Sequence, residues 1–347
     1  MHSTVPTLRE MILTPTKADS WSYDGGSVAE LPDGRLLLGL TSCYGHSIDS
    51  PADIRGYISA DGGSTWGPPF LLQANVGLLN VTSVSLLAVR SGELLMGFLV
   101  RHHASKDCRL YVRLSADAGH SWTEPVCATP EEGYYSVNNG RLVQTKSGRL
   151  LAPAAKCLEP NNHSLAECFY SDDVGRTWIH SNGLLDLPGP LGASQPGVVE
   201  CADGSLLMYV CSEKGRIYTS RSLDGGELWS DLEPTDLVAP TSACTAAALP
   251  ASGDILMLYN DRSAVPFIEY SGLFERCTPL SAAVSHDCGR TWEHRSLVEN
   301  NDEIEYCYPN IAFIGTTTLL TYSVHRLGWP GAPCLKVRTV PTVAWTA

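Results

Sequence analysis

Basic residues are in short supply in this chain. Its 24 lysines and arginines stand against 37 aspartates and glutamates, a formal net charge of −13 at pH 7. A field of that sign repels phosphate backbones and anionic headgroups, so neither nucleic acid nor a membrane surface is expected as a partner. No apolar run approaches the roughly 20 residues a membrane helix needs. The first residues, Met1-His-Ser-Thr-Val-Pro, carry neither a basic stretch nor an apolar core, so a cytoplasmic location is the expectation. Long amphipathic helical patterns are missing too, and the apolar residues come in strand-sized bursts. The 12 cysteines sit singly, without C-x-x-C spacing. They are expected as reduced, small apolar residues, with no metal site and no cofactor.

What is present is a repeat. An octapeptide of the form S-x-D-x-G-x-x-W occurs five times: Ser59-Ala-Asp61-Gly-Gly-Ser-Thr-Trp66, then at Ser115–Trp122, Ser171–Trp178, Ser222–Trp229 and Ser285–Trp292. Its Asp can accept backbone N–H groups, its Gly can take a left-handed conformation, and its Trp can cover the loop. Between these boxes lies a second repeat, a hairpin written Asp33-Gly-Arg-Leu-Leu37, Ser91-Gly-Glu-Leu-Leu95, Ser147-Gly-Arg-Leu-Leu151, Asp203-Gly-Ser-Leu-Leu207 and Ser252-Gly-Asp-Ile-Leu256. A degenerate sixth copy reads Ile314-Gly-Thr-Thr-Thr-Leu319. Each hairpin sits between two short apolar runs and is expected to turn through two residues.

The distance from hairpin to box leaves room for two more strands per unit. The expectation is therefore an all-β, six-bladed β-propeller of four-stranded blades with five Asp-box hairpins, a single domain over residues 1–347. The segment around Thr7–Leu13 is expected to supply the outer strand of the sixth unit.

The boxes and hairpins, with segments such as Val28-Ala-Glu-Leu-Pro-Asp-Gly-Arg-Leu-Leu37 and Tyr134-Tyr-Ser-Val-Asn-Asn-Gly-Arg141, resemble the sialidase-like superfamily in its BNR/Asp-box branch. The resemblance runs from about Trp21 to about Arg338 and implies an exo-acting glycoside hydrolase, whose box aspartates are structural. It also implies three arginines clamping a substrate carboxylate, an Asp acid/base, and a Tyr nucleophile activated by a Glu. Arg276 matches the third arginine, Tyr308 the tyrosine, and Asp53 the acid, with Asp49 as the alternative. The segment that would carry the first arginine reads Tyr23-Asp-Gly-Gly-Ser-Val28, the second falls near Val210 and Cys211, and Gln195 stands in the place of the Glu.

From the residues themselves, a substrate funnel should form at the strand ends opposite the hairpins and boxes. Positions entering the first strands include Tyr23, Asp24, Thr82, Ser83, Asn138, Asn139, Gln195, Tyr306 and Tyr308. Positions leaving the second strands include His46, Arg101, Lys156, Arg262 and His325. A polar, partly basic ring suits a carbohydrate, above all an anionic one. Asp53, Asp49 and Tyr308 are the catalytic candidates; Arg276, Arg101, Gln195, Asn139, Lys156, Arg262, Tyr306 and His325 are the binding candidates. Each has a plainer role open to it: a solvated rim charge for the arginines and Lys156, core packing for Tyr306, a blade-holding network for Asn139, and an ion pair with Arg55 for Asp53. Two rival functions stay open, a non-catalytic propeller that binds glycan or protein, and a polysaccharide lyase on the same fold.

Overall fold

Each hairpin-and-box repeat folds as an antiparallel meander of four strands. The computed structural model describes residues 3–13, 20–21, 24–45, 47–267, 275–326 and 333–346. Unit 1 runs Ser27–Glu30, Leu36–Tyr44, Ala52–Ser59 and Phe70–Gln73, and unit 2 runs Asn80–Ala88, Leu94–Arg101, Cys108–Ser115 and Val126–Cys127. Unit 3 opens on a split strand, Tyr134–Ser136 and Val143–Gln144, followed by Leu150–Leu158, His163–Ser171 and Ile179–His180. Unit 4 comprises Ser194–Glu200, Leu206–Cys211, Arg216–Ser222 and Glu233–Val238; unit 5 comprises Thr245–Ala248, Ile255–Asn260, Leu280–Ser285 and Glu293–Glu299. Unit 6 has Ile304–Ile314, Thr317–Arg326 and Cys334–Pro341, and its outer strand is Arg9–Leu13, paired from Arg9↔Thr339 to Leu13↔Leu335. The chain's beginning thus completes its last unit, as expected.

The core lies in the seams between units. One buried apolar cluster joins units 1 and 2, others join 2 and 3, 3 and 4, 4 and 5, and 5 and 6. A sixth packs Leu319, Leu335 and Val337 of unit 6 against Leu36, Leu38 and Leu40 of unit 1. Packing therefore runs from each unit to the next and from the last back to the first. A meander alone buries one face; stacked side by side, each buries both.

Five of the six hairpins differ from expectation in length; the sixth turns through two residues, with Ile314 paired to Thr317, as expected. Leu31 N donates to Arg35 O and Gly34 N to Leu31 O, a three-residue loop whose glycine has φ 81°. The same closure joins Val89 to Glu93, Thr145 to Arg149 and Cys201 to Ser205, while unit 5 uses one residue more, from Leu249 to Asp254. A type I turn ending in a left-handed glycine matches strand twist as well as a two-residue turn does, and "x-G" patterning alone cannot separate them.

The boxes repeat one hydrogen-bond pattern. Ser59 Oγ donates to Asp61 Oδ1 and accepts from Gly63 N, and Asp61 Oδ1 accepts from Thr65 N. The corresponding Ser–Asp bonds recur at Ser115, Ser171, Ser222 and Ser285. The N–H and hydroxyl of Thr65 hold the Asp61 carboxyl down at about 2. These loops lie at the hairpin end of the units: Arg149 of the unit 3 hairpin pairs with Glu227 of the unit 4 box at 3.0 Å.

One cysteine expectation is overturned. Cys201, in the unit 4 hairpin, is disulfide-bonded to Cys288, in the unit 5 box, with Cα atoms 5.6 Å apart across 87 residues of sequence. The pairing arises because the unit 4 hairpin touches the unit 5 box, as the unit 3 hairpin touches the unit 4 box, a proximity that sequence spacing does not reveal. The other ten cysteines are not disulfide-bonded.

Candidate functional site

At the strand ends opposite the hairpins, a cavity of about 140 Å³ opens between units 1, 2, 3 and 6. Its walls include Asp24 and Thr41 from unit 1, Thr82, Ser83 and Arg101 from unit 2, Tyr134, Asn138 and Asn139 from unit 3, and Tyr308 from unit 6, with Ile48 at its edge.

Local backbone structure aims several of these groups. In units 2, 4 and 6 the first strand is interrupted by a bulge, between Thr82 and Ser85, Ser194 and Gly197, and Cys307 and Asn310. At each bulge one non-glycine residue is left-handed: Ser83 at φ 58°, Gln195 at 54° and Tyr308 at 53°. Such conformations are uncommon outside glycine, and a bulge re-aims the side chain it carries. Tyr308 comes so close to unit 1 that a Cβ at Gly25 would overlap its carbonyl oxygen. Only glycine admits that approach.

A polar network ties the first strands together across the axis. Asn139 Oδ1 accepts from Gly25 N at 3.4 Å and its Nδ2 donates to Gly26 O at 2.6 Å, where Asn310 Nδ2 also donates at 3.1 Å. Asn138 Nδ2 donates to Gln195 Oε1 at 3.3 Å. Arg141, buried, reaches from unit 3 to Tyr209 Oη at 3.2 Å, Thr245 Oγ1 at 3.1 Å and Cys244 O at 2.6 Å. Asp24, also buried, accepts from the Thr41 hydroxyl and from Gly26 N at 3.2 Å. Arg101 is 4% exposed; it donates to Ile48 O at 2.6 Å, pairs with Asp49 at 2.7 Å and faces the Tyr134 ring at 5.8 Å. Burial pushes the Tyr308 phenol up to about 12, with the neighbouring Cys307 and Cys277 thiols and the Asp24 carboxylate adding to it. Its hydroxyl is therefore a neutral donor at pH 7.

Of the catalytic and binding candidates, Arg101, Asn139 and Tyr308 line this cavity, Asp49 joins it through Arg101, and Gln195 through Asn138; the ring positions Asp24, Thr82, Ser83 and Asn138 line it as well. The others are placed elsewhere. Asp53 sits on the third strand of unit 1, held by both Arg55 Nε at 2.8 Å and Nη2 at 2.7 Å and by Tyr44 Oη at 2.9 Å. It is outside the cavity lining, and residues two apart on a strand share a face, so the Arg55 pair forms by geometry.

Tyr306, 2% exposed, packs edge-on against Tyr322 in the seam between units 5 and 6. Two residues apart on a regular strand, Tyr306 and Tyr308 would share a face; the bulge between Cys307 and Asn310 breaks the alternation and sends them apart. Lys156 pairs with Glu131 at 3.0 Å on unit 3. Arg276 donates to Asp302 O and Arg262 to Thr278 O, both in unit 5 and outside the cavity lining. His325 is half-buried near the end of the second strand of unit 6, opposite Glu305. Tyr23 and His46 lie outside the described residues.

Asp24 was named as a ring position but given no role, although the Gly25-Gly26 pair behind it signals close backbone approach. Arg141 was missed as an axial tie; a lone arginine after Asn-Asn-Gly at the head of an apolar run was the available signal. For a metal, the one group of three potential ligands found among the described residues is Cys201, Asp203 and Cys288, within 4.8 Å. With both sulfurs joined to each other, it offers a single carboxylate.

Residues 53–319 match the BNR repeat-like domain family. The chain belongs to that family, within the sialidase-like superfamily. The anhydrosialidase of Macrobdella decora is 32% identical over 141 residues, 38% of this chain and 18% of that protein. Sialidase-3 of Rattus norvegicus is 29% identical over 170 residues, 42% of this chain and 38% of its own length. The match thus takes in well under half of either relative. The intramolecular trans-sialidase of Ruminococcus gnavus, solved with oseltamivir carboxylate, superposes with a TM-score of 0.77 at 15% identity, covering 98% of this chain and 99% of that one. At that identity the likeness carries the fold, a β-rich propeller.

Proposed function

We propose that the six units close as a six-bladed propeller and that the chain is a glycoside hydrolase acting on a terminal sugar held in the axial cavity. The observation that carries the reading is the convergence of Asp24, Arg101 and Tyr308, from three different units, on one cavity lined with amides and hydroxyls. Left-handed backbone at Ser83, Gln195 and Tyr308, repeated on alternate units, is the kind of local cost that a site retains.

In this reading Asp49, on the rim and 45% exposed, is the carboxyl at the mouth where a leaving group departs. Asp24 is the buried carboxylate that orients water, and the Tyr308 hydroxyl donates to the sugar. With Gln195 in place of a carboxylate, Tyr308 has no base to make it a nucleophile, which favours an inverting route through water. The anionic preference expected from sequence rests on Arg101, the one guanidinium among the described cavity walls, which Asp24 balances. An acidic sugar would place its carboxylate beside Arg101 and Tyr134, with the remaining hydroxyls on the amides.

The test is turnover of chromogenic sialosides, uronides and neutral glycosides, with Asp24→Asn, Asp49→Asn and Tyr308→Phe alongside. Hydrolysis of one class, reduced about 100-fold or more by a carboxylate substitution, supports the reading. Gln195 and the mutually engaged amides favour the non-catalytic alternative. Glycan binding without turnover, unchanged in all three variants, would establish it. An unsaturated, ultraviolet-absorbing product would instead mark a lyase.

A further inference from the structure

The fourth box breaks the pattern of the other four. In those, the residue before Trp is Thr or Ser, and its hydroxyl donates to the second oxygen of the box Asp: Thr65 at 2.7 Å, Ser121 at 2.5 Å, Thr177 at 2.7 Å and Thr291 at 2.7 Å. In unit 4 that residue is Leu228, 58% exposed, and the residue before Asp224 is Leu223, 87% exposed. The loop has given up a hydrogen bond to show two leucines to solvent. Both line a groove of about 760 Å³ between the outer part of unit 4 and the unit 5 box, floored by Trp229. This groove lies at the opposite end of the units from the axial cavity.

Two guanidiniums, Arg221 and Arg290, line the same groove. Arg221 is held against the unit 5 box, donating to Cys288 O at 2.6 Å and lying 3.0 Å from its sulfur. Burial, then repulsion from Arg290, lowers its affinity for its proton, although Asp203, Asp287 and Glu233 pull the other way. Glu233 also lines the groove, facing two guanidiniums, while Asp203 and Asp287 accept from Ser205 and Thr291 of their own loops. Asp224 faces inward, accepting from Ser222, Glu227 and Leu228 of its own loop.

We infer that this groove is a binding site for an amphipathic organic anion, an aryl or alkyl carboxylate, sulfate or sulfonate. Its apolar body would lie on Leu223 and Leu228, and its charged end between Arg221 and Arg290. The site is independent of the glycosidase reading.

The probe is 8-anilinonaphthalene-1-sulfonate, titrated by fluorescence into the native full chain, with decanoate as a competitor. The expected result is one saturable site per chain that decanoate empties. Leu228→Thr restores the missing box hydroxyl and so retains the fold. It should weaken binding about tenfold, as should Leu223→Ser, by removing apolar contact. Arg290→Gln should do the same by removing charge. Absence of saturable binding overturns the inference, as does binding that Leu228→Thr and Leu223→Ser leave unchanged. Loss in the leucine variants with none in Arg290→Gln overturns the anion assignment.

Discussion

Glu167 is a carboxyl whose surroundings favour its protonated form, and its removal should change how stability follows pH. It lies on the third strand of unit 3 with a side-chain exposure of 0%. Burial pushes it from an ordinary 4.5 up to about 7, Glu131 adding and Lys156 opposing. His180 Nε2 is 2.8 Å from one of its oxygens, and the imidazole stacks on Phe169 at 4.8 Å. Because the folded-state value is raised, the fold prefers the protonated acid. That contribution is complete below pH 4.5 and is lost as pH rises through 7. The rise from 4.5 to about 7 corresponds to roughly 3 kcal/mol as an upper bound. Glu167→Gln keeps the shape and removes the ionisation. Urea unfolding from pH 4.5 to 8.5 should show the variant gaining on the wild type as pH rises, by about 2–3 kcal/mol at the alkaline end. A difference between the two proteins that stays flat across that range would refute the reasoning, as would one that falls with pH.

Three further outcomes are expected. Gly25→Ala, which drives a methyl into the Tyr308 carbonyl, should cost about 3 kcal/mol or prevent folding, read as a lowered urea midpoint. The box carboxyls Asp61 and Asp117, both held at about 2, contribute stability that is present above the ordinary 3.8 and lost as pH falls through 2. Asp61→Asn and Asp117→Asn should therefore be less stable at pH 7 and less sensitive to acid between pH 4 and 2, measured by thermal melts. Alkylation of the unfolded chain without reductant should count ten thiols, and twelve after reduction, by mass spectrometry.

The repeat was legible because its turn chemistry is local. A box needs Ser, Asp, Gly and Trp at fixed offsets, and a hairpin needs its glycine, so both are written where they act. Arg9–Leu13 could be assigned to the last unit because that unit was one strand short. What escaped was lateral. The seam that brings Cys201 to Cys288, the bridge from Cys108 to Tyr134 that merges units 2 and 3 into one nine-stranded sheet, and the run of Arg141 across the axis each depend on neighbours 26 to 104 residues away. Alternation and spacing do not encode those distances.

The site was harder to read than the fold because its residues break the rule that made the strands visible. Tyr306 and Tyr308 obey period two on paper, yet a single left-handed residue at the bulge puts one in a seam and the other in the cavity. Asp53 and Asp49 differ in sequence by four places, but one lies within a strand beside Arg55 and the other on a loop gripped by a buried arginine. Asp24 stands in the segment where an arginine was expected, and the glycines behind it let Tyr308 close over it. A carboxylate there inverts the sign of one wall of the cavity, so a substrate anion is left with Arg101 to meet it. In the proposed reading, the charge at residue 24 is the feature on which substrate class turns. Asp24→Arg, rather than a change at any rim cation, is the substitution that should shift preference toward acidic sugars. Because the substitution also removes the carboxylate proposed to orient water, the measurement is the ratio of association constants for a uronide or sialoside over a neutral glycoside, read by binding and not by turnover. A ratio that does not rise in Asp24→Arg, in a variant that still folds and binds, would show that the carboxylate does not set specificity.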